Sequence, residues 1–202
     1  MGDCREIHDE KTVERMAESH AMEKLPEGFK NKLAEFTEIV GSGRILDAGC
    51  GHGRDVNFFS DENGFNALGL DHSRNMINYA KEYRSGDFIC DSLENADFSP
   101  GSFSGIWCNT VMQYFSPEES SEILEKFASW LISGGVLYVT FRLFIQEKHD
   151  NRAYTRDGED ITRYRLTPEE AEKLLENSGF EILEASEEET NDPILSFFCR
   201  KA

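Results

Sequence analysis

The chain has 202 residues, of which 39% are hydrophobic and 30% charged, and its formal net charge is −18. This composition predicts one globular domain with a core of its own. The excess negative charge repels phosphate groups, so it disfavours nucleic acids and anionic membrane surfaces as partners. The N-terminus is polar, and no apolar run approaches the roughly 20 residues of a transmembrane helix. We therefore expect a cytoplasmic protein without a membrane partner.

The N-terminal residues have helical spacing, with Leu25, Phe29 and Leu33 separated by four residues each. Pro26 is placed to begin the second of two helices. We expect the helices within residues 1–40 to form a cap over the functional site. After residue 43 the pattern changes to short apolar runs separated by helical segments. The strand-like runs are 44–48, 67–71, 87–90, 105–109, 136–141, 180–186 and 196–200.

Three helix starts are marked by local signals. Ser73 is a plausible N-cap, and Ser116 and Thr167 each begin a capping box with proline at the next position. Alternation of strands and helices predicts an α/β fold with a doubly wound, mostly parallel sheet covered by helices on both faces. The acidic stretch before Pro193 is interpreted as a loop, so the last strand is expected to pair antiparallel with its predecessor. We predict one Rossmann-like domain, 1–202, with a seven-stranded sheet.

The most informative segment follows the first strand and contains three alternating glycines. Asp47 precedes Gly49, Gly51 and Gly53, and a second acid, Asp71, ends the next strand. Glycine has no Cβ, so such a loop approaches a ligand closely, while the next helix directs free N–H groups toward it. An acid at the end of the second strand is placed to hold ribose hydroxyls. The pattern indicates a nucleoside cofactor.

The spacing of these glycines narrows the class of cofactor. It is not the Gly-x-Gly-x-x-Gly pattern of a dinucleotide site, and no Gly-Lys-Ser/Thr follows as in a P-loop. Asp47 would repel a pyrophosphate but would attract an ammonium group. A ligand with an amino-acid end, a nucleoside end and no phosphate between them fits both acids, and S-adenosylmethionine has that structure. A nicotinamide-dependent oxidoreductase is disfavoured for the same reasons.

The chain resembles the class I S-adenosylmethionine-dependent methyltransferases over about residues 29–200. The matching segments are Leu46-Asp47-Ala48-Gly49-Cys50-Gly51-His52-Gly53, Gly69-Leu70-Asp71-His72-Ser73-Arg74-Asn75-Met76, Gly86-Asp87-Phe88-Ile89-Cys90-Asp91-Ser92, Ile106-Trp107-Cys108-Asn109 and Ser133-Gly134-Gly135-Val136-Leu137. They occur in the family's order and at the expected intervals.

The resemblance implies roles for individual residues in binding S-adenosylmethionine. Asp47 would lie near the methionine ammonium group, and the loop Gly49-Cys50-Gly51 would pass beneath the methionine part. Asp71 would bind both ribose hydroxyls. The remaining implied contacts are His72, Met76, Asp91 and Ser92 around the adenine, and Asn109 at the methionine portion. Met76 is equally well interpreted as a core residue. His52 stands where the family usually has a small or polar residue, and we expect an exposed loop side chain there.

The acceptor is expected to bind on the side of the insertion after the fifth strand, residues 142–166. Between residues 142 and 165 there are six Lys/Arg residues and five acids, against 15 and 34 in the rest of the chain. Arg142 directly follows the fifth strand and is the candidate contact for an anionic substrate group. Methyl transfer from a sulfonium needs a base only when the acceptor must lose a proton, and the weak candidates are Tyr114, His149 and Tyr164.

These observations predict an S-adenosylmethionine-dependent methyltransferase that acts on a small molecule, with S-adenosylhomocysteine as the other product. A protein or nucleic-acid methyltransferase, or a non-catalytic S-adenosylmethionine-binding protein, is the alternative. The charge and the lack of an Asn-Pro-Pro-Tyr-like run after the fourth strand disfavour nucleic acid. No metal site is predicted. The five cysteines, an odd number without a Cys-x-x-Cys pair, are expected to be reduced and mostly buried.

Overall fold

The computed structural model describes residues 4–6, 8–155, 161–188 and 192–202. The α-helices are α1 (Glu10–Ser19), α2 (Glu27–Val40), α3 (Arg54–Asn57), α4 (Arg74–Tyr83), α5 (Pro117–Trp130) and α6 (Pro168–Asn177). The strands are β1 (Arg44–Ala48), β2 (Asn66–Asp71), β3 (Asp87–Cys90), β4 (Phe103–Cys108), β5 (Leu131–Leu143), β6 (Ala153–Thr155), β7 (Thr162–Leu166), β8 (Phe180–Glu188) and β9 (Ile194–Lys201). A π-helical turn, Phe58–Glu62, extends α3.

The helices begin where local chemistry favours them. Ser116 and Thr167 form complete capping boxes with Glu119 and Glu170, and each is followed by proline. The Ser73 hydroxyl accepts from the amide of Met76 at 3.5 Å, as the predicted N-cap of α4. The three predicted helix starts are therefore confirmed.

The strands form one sheet, and its order confirms the predicted doubly wound α/β fold. The order β3-β2-β1-β4-β5 is parallel, and β9 pairs antiparallel with both β5 and β8. The sheet has nine strands rather than seven. The two additional strands, β6 and β7, form an antiparallel hairpin in the insertion after β5. Their short polar runs have no strand-like alternation in the sequence, so the pairing of β7 with β5 and of β6 with β7 decides their conformation.

The carboxyl end of β5 lies between β7 and β9. Arg142 pairs with Arg165 of β7 and also with Ile194 of β9. The pairing of β4 with β5 ends earlier, at Cys108 and Val139. Strand β9 pairs with one edge of β5 along its whole carboxyl half. Strand β7 must therefore pair with the opposite edge, the one that β4 occupies earlier in β5. The hairpin therefore lies over the carboxyl end of β4.

Apolar side chains pack on both faces of the sheet. On one face, α5 and α6 cover residues of β1, β2, β4 and β5. On the other face, α2, α3 and α4 pack on an aromatic cluster around Trp107, whose ring stacks on Tyr138 at a centroid distance of 3.9 Å. None of the helices in the described part of the chain is long and apolar enough to cross a lipid bilayer.

The N-terminal segment is attached to the carboxyl ends of β2 and β3. Cys4 and Cys90 form a disulfide with a Cα–Cα distance of 5.5 Å. The Arg5 amide donates to the His72 carbonyl at 2.7 Å, and the Arg74 amide donates to the Arg5 carbonyl at 2.8 Å. The prediction of five reduced thiols is thus wrong for this pair, because the fold joins two cysteines 86 positions apart. Cys50, Cys108 and Cys199 are free and buried, as expected.

Candidate cofactor and acceptor site

The glycine loop is fixed against the end of β2. The amides of Gly49 and Cys50 both donate to the Leu70 carbonyl, at 2.7 and 3.0 Å. Gly49 has φ +83°, and a Cβ there would lie 2.3 Å from Val111, so only glycine fits. Gly51 has φ +52°, and no described atom lies within 4 Å of the position of its absent Cβ. The loop therefore has one closely packed side and one open side.

Asp71 is oriented by two backbone donors. One carboxylate oxygen accepts from the Gly51 amide at 2.9 Å, and the other accepts from the Ser73 amide at 2.8 Å. Each oxygen retains lone-pair capacity for a further donor. Asp71 is therefore held rigidly beside the glycine loop in a geometry suited to a pair of hydroxyl groups.

Asp47 is buried near other acidic side chains at the end of β1. Its exposed fraction is 3%. Burial, followed by the neighbouring Asp55 carboxylate, raises the pKa of Asp47 well above its ordinary value. Asp55 itself is paired with Arg54 at 2.6 Å and accepts from the Trp107 indole at 3.1 Å. A cation that enters the site would therefore stabilise the ionised form of Asp47.

The predicted adenine contacts lie at the ends of β2 and β3. The Asp91 amide donates to the Asp71 carbonyl at 3.1 Å, and the Asp91 carboxylate accepts from the Ser92 amide at 2.9 Å. Ser92 is 6% exposed, and its hydroxyl has no hydrogen-bond partner among the described residues. His72 is exposed, whereas Met76 is 4% exposed in the first turn of α4.

The turn after β4 has an unusual backbone conformation. Thr110, next to Asn109, has φ +59°, which is costly for a β-branched residue. Its amide donates to the Thr140 hydroxyl at 2.7 Å, and its carbonyl accepts from the Gln113 amide group at 2.8 Å. These bonds fix the turn beside the glycine loop, which Val111 contacts.

Comparisons with known proteins agree with the fold described above. A family model described as a methyltransferase domain matches residues 45–135, from β1 into β5. The 1,6-didemethyltoxoflavin-N1-methyltransferase of Burkholderia thailandensis, solved with its substrate and S-adenosylhomocysteine, has the same fold. Its TM-score is 0.72 at 18% identity, with 94% of this chain and 87% of that chain covered. These matches are consistent with the class I S-adenosylmethionine-dependent methyltransferase family.

Two curated relatives of this chain have different acceptors in their names. A tRNA (carboxymethyluridine(34)-5-O)-methyltransferase of Mus musculus is 24% identical over 166 residues, which are 82% of this chain and 24% of the relative. A malonyl-[acyl-carrier protein] O-methyltransferase of Enterobacter lignolyticus is 26% identical over 146 residues, which are 65% of this chain and 57% of the relative. The chain thus spans about a quarter of the first relative's length and just over half of the second's.

The residues of this site fit S-adenosylmethionine, the cofactor indicated by the methyltransferases that the chain resembles. The open side of Gly51, the oriented Asp71 carboxylate and the unpaired Ser92 hydroxyl are the features that a nucleoside would complete. Cys50 contributes its backbone, because its sulfur packs toward β2, 2.7 Å from where a Cβ of Gly69 would lie. In the part of the chain that the structure describes, no cluster of three or more His, Cys, Asp or Glu side chains is arranged to hold a metal ion.

The three candidate bases are not brought together. Tyr114 is 42% exposed, and its ring lies 5.4 Å from the Arg163 guanidinium. The Nδ1 atom of His149 accepts from the Ile145 amide at 3.0 Å, which uses the lone pair that a base would need on that nitrogen. Tyr164 lies between Arg163 and Arg165 along β7. Successive side chains of a strand point to opposite faces, so the Tyr164 side chain points away from the face that carries the two arginines.

His52, in the glycine loop, is buried rather than exposed as the sequence predicted. His52 is only 7% exposed, and its ring stacks on His20 after α1 and meets Tyr79 of α4 edge-on, both at centroid distances of 6.4 Å. Burial lowers the pKa of His52 to about 4, so the ring is neutral. The expected exposed position is wrong because the N-terminal helix covers this loop, a long-range contact without a local signal.

Proposed function

We propose that the protein transfers a methyl group from S-adenosylmethionine to a small-molecule acceptor that carries an anionic group. The observation that carries the proposal is the Asp71 carboxylate, oriented by the amides of Gly51 and Ser73 next to a glycine loop with one open side. This arrangement suits a ribose diol.

The chain's own residues position the cofactor. Asp71 accepts from the ribose hydroxyls, and Asp47 faces the methionine ammonium group. His72, Met76, Asp91 and Ser92 surround the adenine, with Asn109 at the methionine portion. When bound, the cofactor supplies an activated methyl group on a sulfonium, so the protein must mainly align the acceptor and exclude water.

The acceptor side is assigned to the insertion 142–166, within which residues 156–160 lie outside the described residues, and to the N-terminal helices within residues 1–40. The position of the β6–β7 hairpin over the carboxyl end of β4 supports this assignment. Arg142 and Arg165 lie on the paired strands there, and arginine pairs well with carboxylates. The names of both curated relatives describe O-methylation of a substrate that bears a carboxyl-containing group, carboxymethyl or malonyl.

An anionic acceptor also simplifies the chemistry. A carboxylate is already ionised at neutral pH, so its methylation needs no base. The separate and partly engaged positions of Tyr114, His149 and Tyr164 are compatible with such a reaction. For an acceptor that must lose a proton, these three residues remain the candidates.

The test begins with titration calorimetry of the purified protein with S-adenosylhomocysteine and, separately, with NAD. We expect binding of S-adenosylhomocysteine only, and loss of about 100-fold or more in affinity in Asp71→Ala, since two charge-assisted hydrogen bonds are removed. Tight binding of NAD alone would refute the proposal. A panel of small carboxylic acids, scored by release of S-adenosylhomocysteine, then identifies the acceptor class.

The tRNA methyltransferase among the relatives makes tRNA the second candidate acceptor. The net charge of −18 disfavours it, because phosphate contacts supply most of the affinity of nucleic-acid binding. Bulk tRNA, incubated with radiolabelled S-adenosylmethionine at low salt, distinguishes the two. Label in the RNA would favour the second candidate, and binding of the cofactor without any methyl acceptor in either panel would favour a non-catalytic protein.

A further inference from the structure

We infer that Arg142 and Arg165 form a carboxylate site for the acceptor, and that Asp192 of the same chain occupies this site until the acceptor binds. The inference rests on the proposed function and names the group that the acceptor side recognises. It also explains how two arginines are kept side by side in a partly buried position.

Three donors converge on Asp192. An Arg142 Nη atom lies 3.5 Å from one carboxylate oxygen of Asp192, and an Arg165 Nη atom lies 3.4 Å from the other. The Tyr154 hydroxyl donates to the carboxylate at 3.1 Å. The same Arg142 nitrogen also donates to the Asp192 carbonyl at 2.8 Å. A single internal carboxylate thus lies between both guanidinium groups and compensates one of their two positive charges.

The ion pairs to Asp192 are longer than optimal ones. Charge-assisted hydrogen bonds between guanidinium and carboxylate are usually about 2.7–2.9 Å long, and arginine often binds both oxygens at once. Asp192 approaches each arginine at 3.4–3.5 Å and is itself 30% exposed. An incoming carboxylate with better geometry therefore has binding energy to gain by replacing it.

Each of the two arginines also has a partner other than Asp192. The Nε atom of Arg142 donates to the Gln113 side chain, and the guanidinium of Arg165 lies 3.3 Å from the centre of the Tyr154 ring. Their side chains are only 19% and 11% exposed. In addition, the Nε atom of Arg165 is buried and has no hydrogen-bond partner among the described residues. The site therefore stays formed when Asp192 leaves and retains one unused donor.

The site is connected to the cofactor loop. Gln113 binds both Arg142 and the carbonyl of Thr110, the residue after Asn109. Val111, in the same turn, contacts Gly49. A carboxylate held by Arg142 and Arg165 is therefore at the same edge of the sheet as the predicted methionine end of the cofactor, on the acceptor side.

The experiment measures malonate binding by titration calorimetry, with and without S-adenosylhomocysteine. We expect Asp192→Ala to bind malonate at least about tenfold more tightly than the wild type, since the internal competitor is gone. Adding Arg142→Lys or Arg165→Lys to that variant should remove the gain. Asp150→Ala, which removes an exposed acid of the same insertion, controls for the change in net charge. Dimethyl malonate controls for binding that does not involve the charge.

Equal malonate affinities in Asp192→Ala and Asp150→Ala would overturn the inference, as would a gain that survives both arginine substitutions. Asp192→Asn, which keeps the size of the side chain, decides the question if Asp192→Ala does not fold. Failure of the proposed function gives a different result, because it appears as lack of S-adenosylhomocysteine binding in the wild type. The malonate titrations without that ligand remain interpretable in that case.

Discussion

Asn in place of Asp47 should affect stability and cofactor binding in opposite directions. Asp47 is buried, and burial together with Asp55 raises its pKa in the folded protein. As the pH rises from the ordinary pKa of aspartate, the unfolded chain loses this proton first, so the wild type becomes less stable. Asp47→Asn does not ionise, and its stability advantage should grow over the same range.

We expect moderate changes in both the stability and the cofactor affinity of Asp47→Asn. Single stabilising substitutions commonly contribute about 0.5–2 kcal/mol. For a domain of this size that corresponds to a rise in Tm of about 1–8 °C. The same substitution removes the proposed charged partner of the cofactor's ammonium group, and we expect this to cost about 1.5–3 kcal/mol, or a 10- to 150-fold weaker binding of S-adenosylhomocysteine.

The assays are thermal unfolding and titration calorimetry between about pH 5 and about pH 8. Affinity of the wild type should rise with pH, because only ionised Asp47 attracts the ammonium group, while the affinity of Asp47→Asn should stay flat. Asp87→Asn, an exposed acid at the opposite end of the sheet, is the matched control and should change neither quantity. A variant less stable than the wild type at high pH, or one with unchanged affinity, would refute the reasoning.

Three further predictions concern the contacts that hold the site together. Cys4→Ser should lower stability by about 2–4 kcal/mol in urea unfolding without reductant, and a dithiol reductant should abolish the difference by opening the bond to Cys90. Thr140→Val should leave the Thr110 amide without a partner and weaken S-adenosylhomocysteine binding about 5- to 100-fold in calorimetry, at an unchanged stoichiometry. Lys32→Met should remove a part-buried ion pair to β8 and destabilise the fold by about 1–3 kcal/mol, whereas a change in cofactor affinity would contradict its purely structural role.

Local signals predicted much of the fold because they depend on neighbours in the chain. The bounds of β1 and β3 agree with the apolar runs 44–48 and 87–90, and both capping boxes lie at the starts of α5 and α6. Hydrophobic periodicity, capping side chains and glycine at special backbone positions act over a few residues. The alternation of elements then restricts the sheet to a few topologies.

The sequence by itself determined the cofactor class, since the acid before the glycines and the acid ending the next strand lie within one strand–helix–strand unit. Tertiary structure alone decided the features whose partners are distant in the chain. These are the Cys4–Cys90 bond, the burial of His52 beneath α1, the β6–β7 hairpin over β4, and the meeting of Asp192 with Arg142 and Arg165. The physical reason is that such contacts are stabilised by packing and pairing across the sheet, which local propensity does not encode.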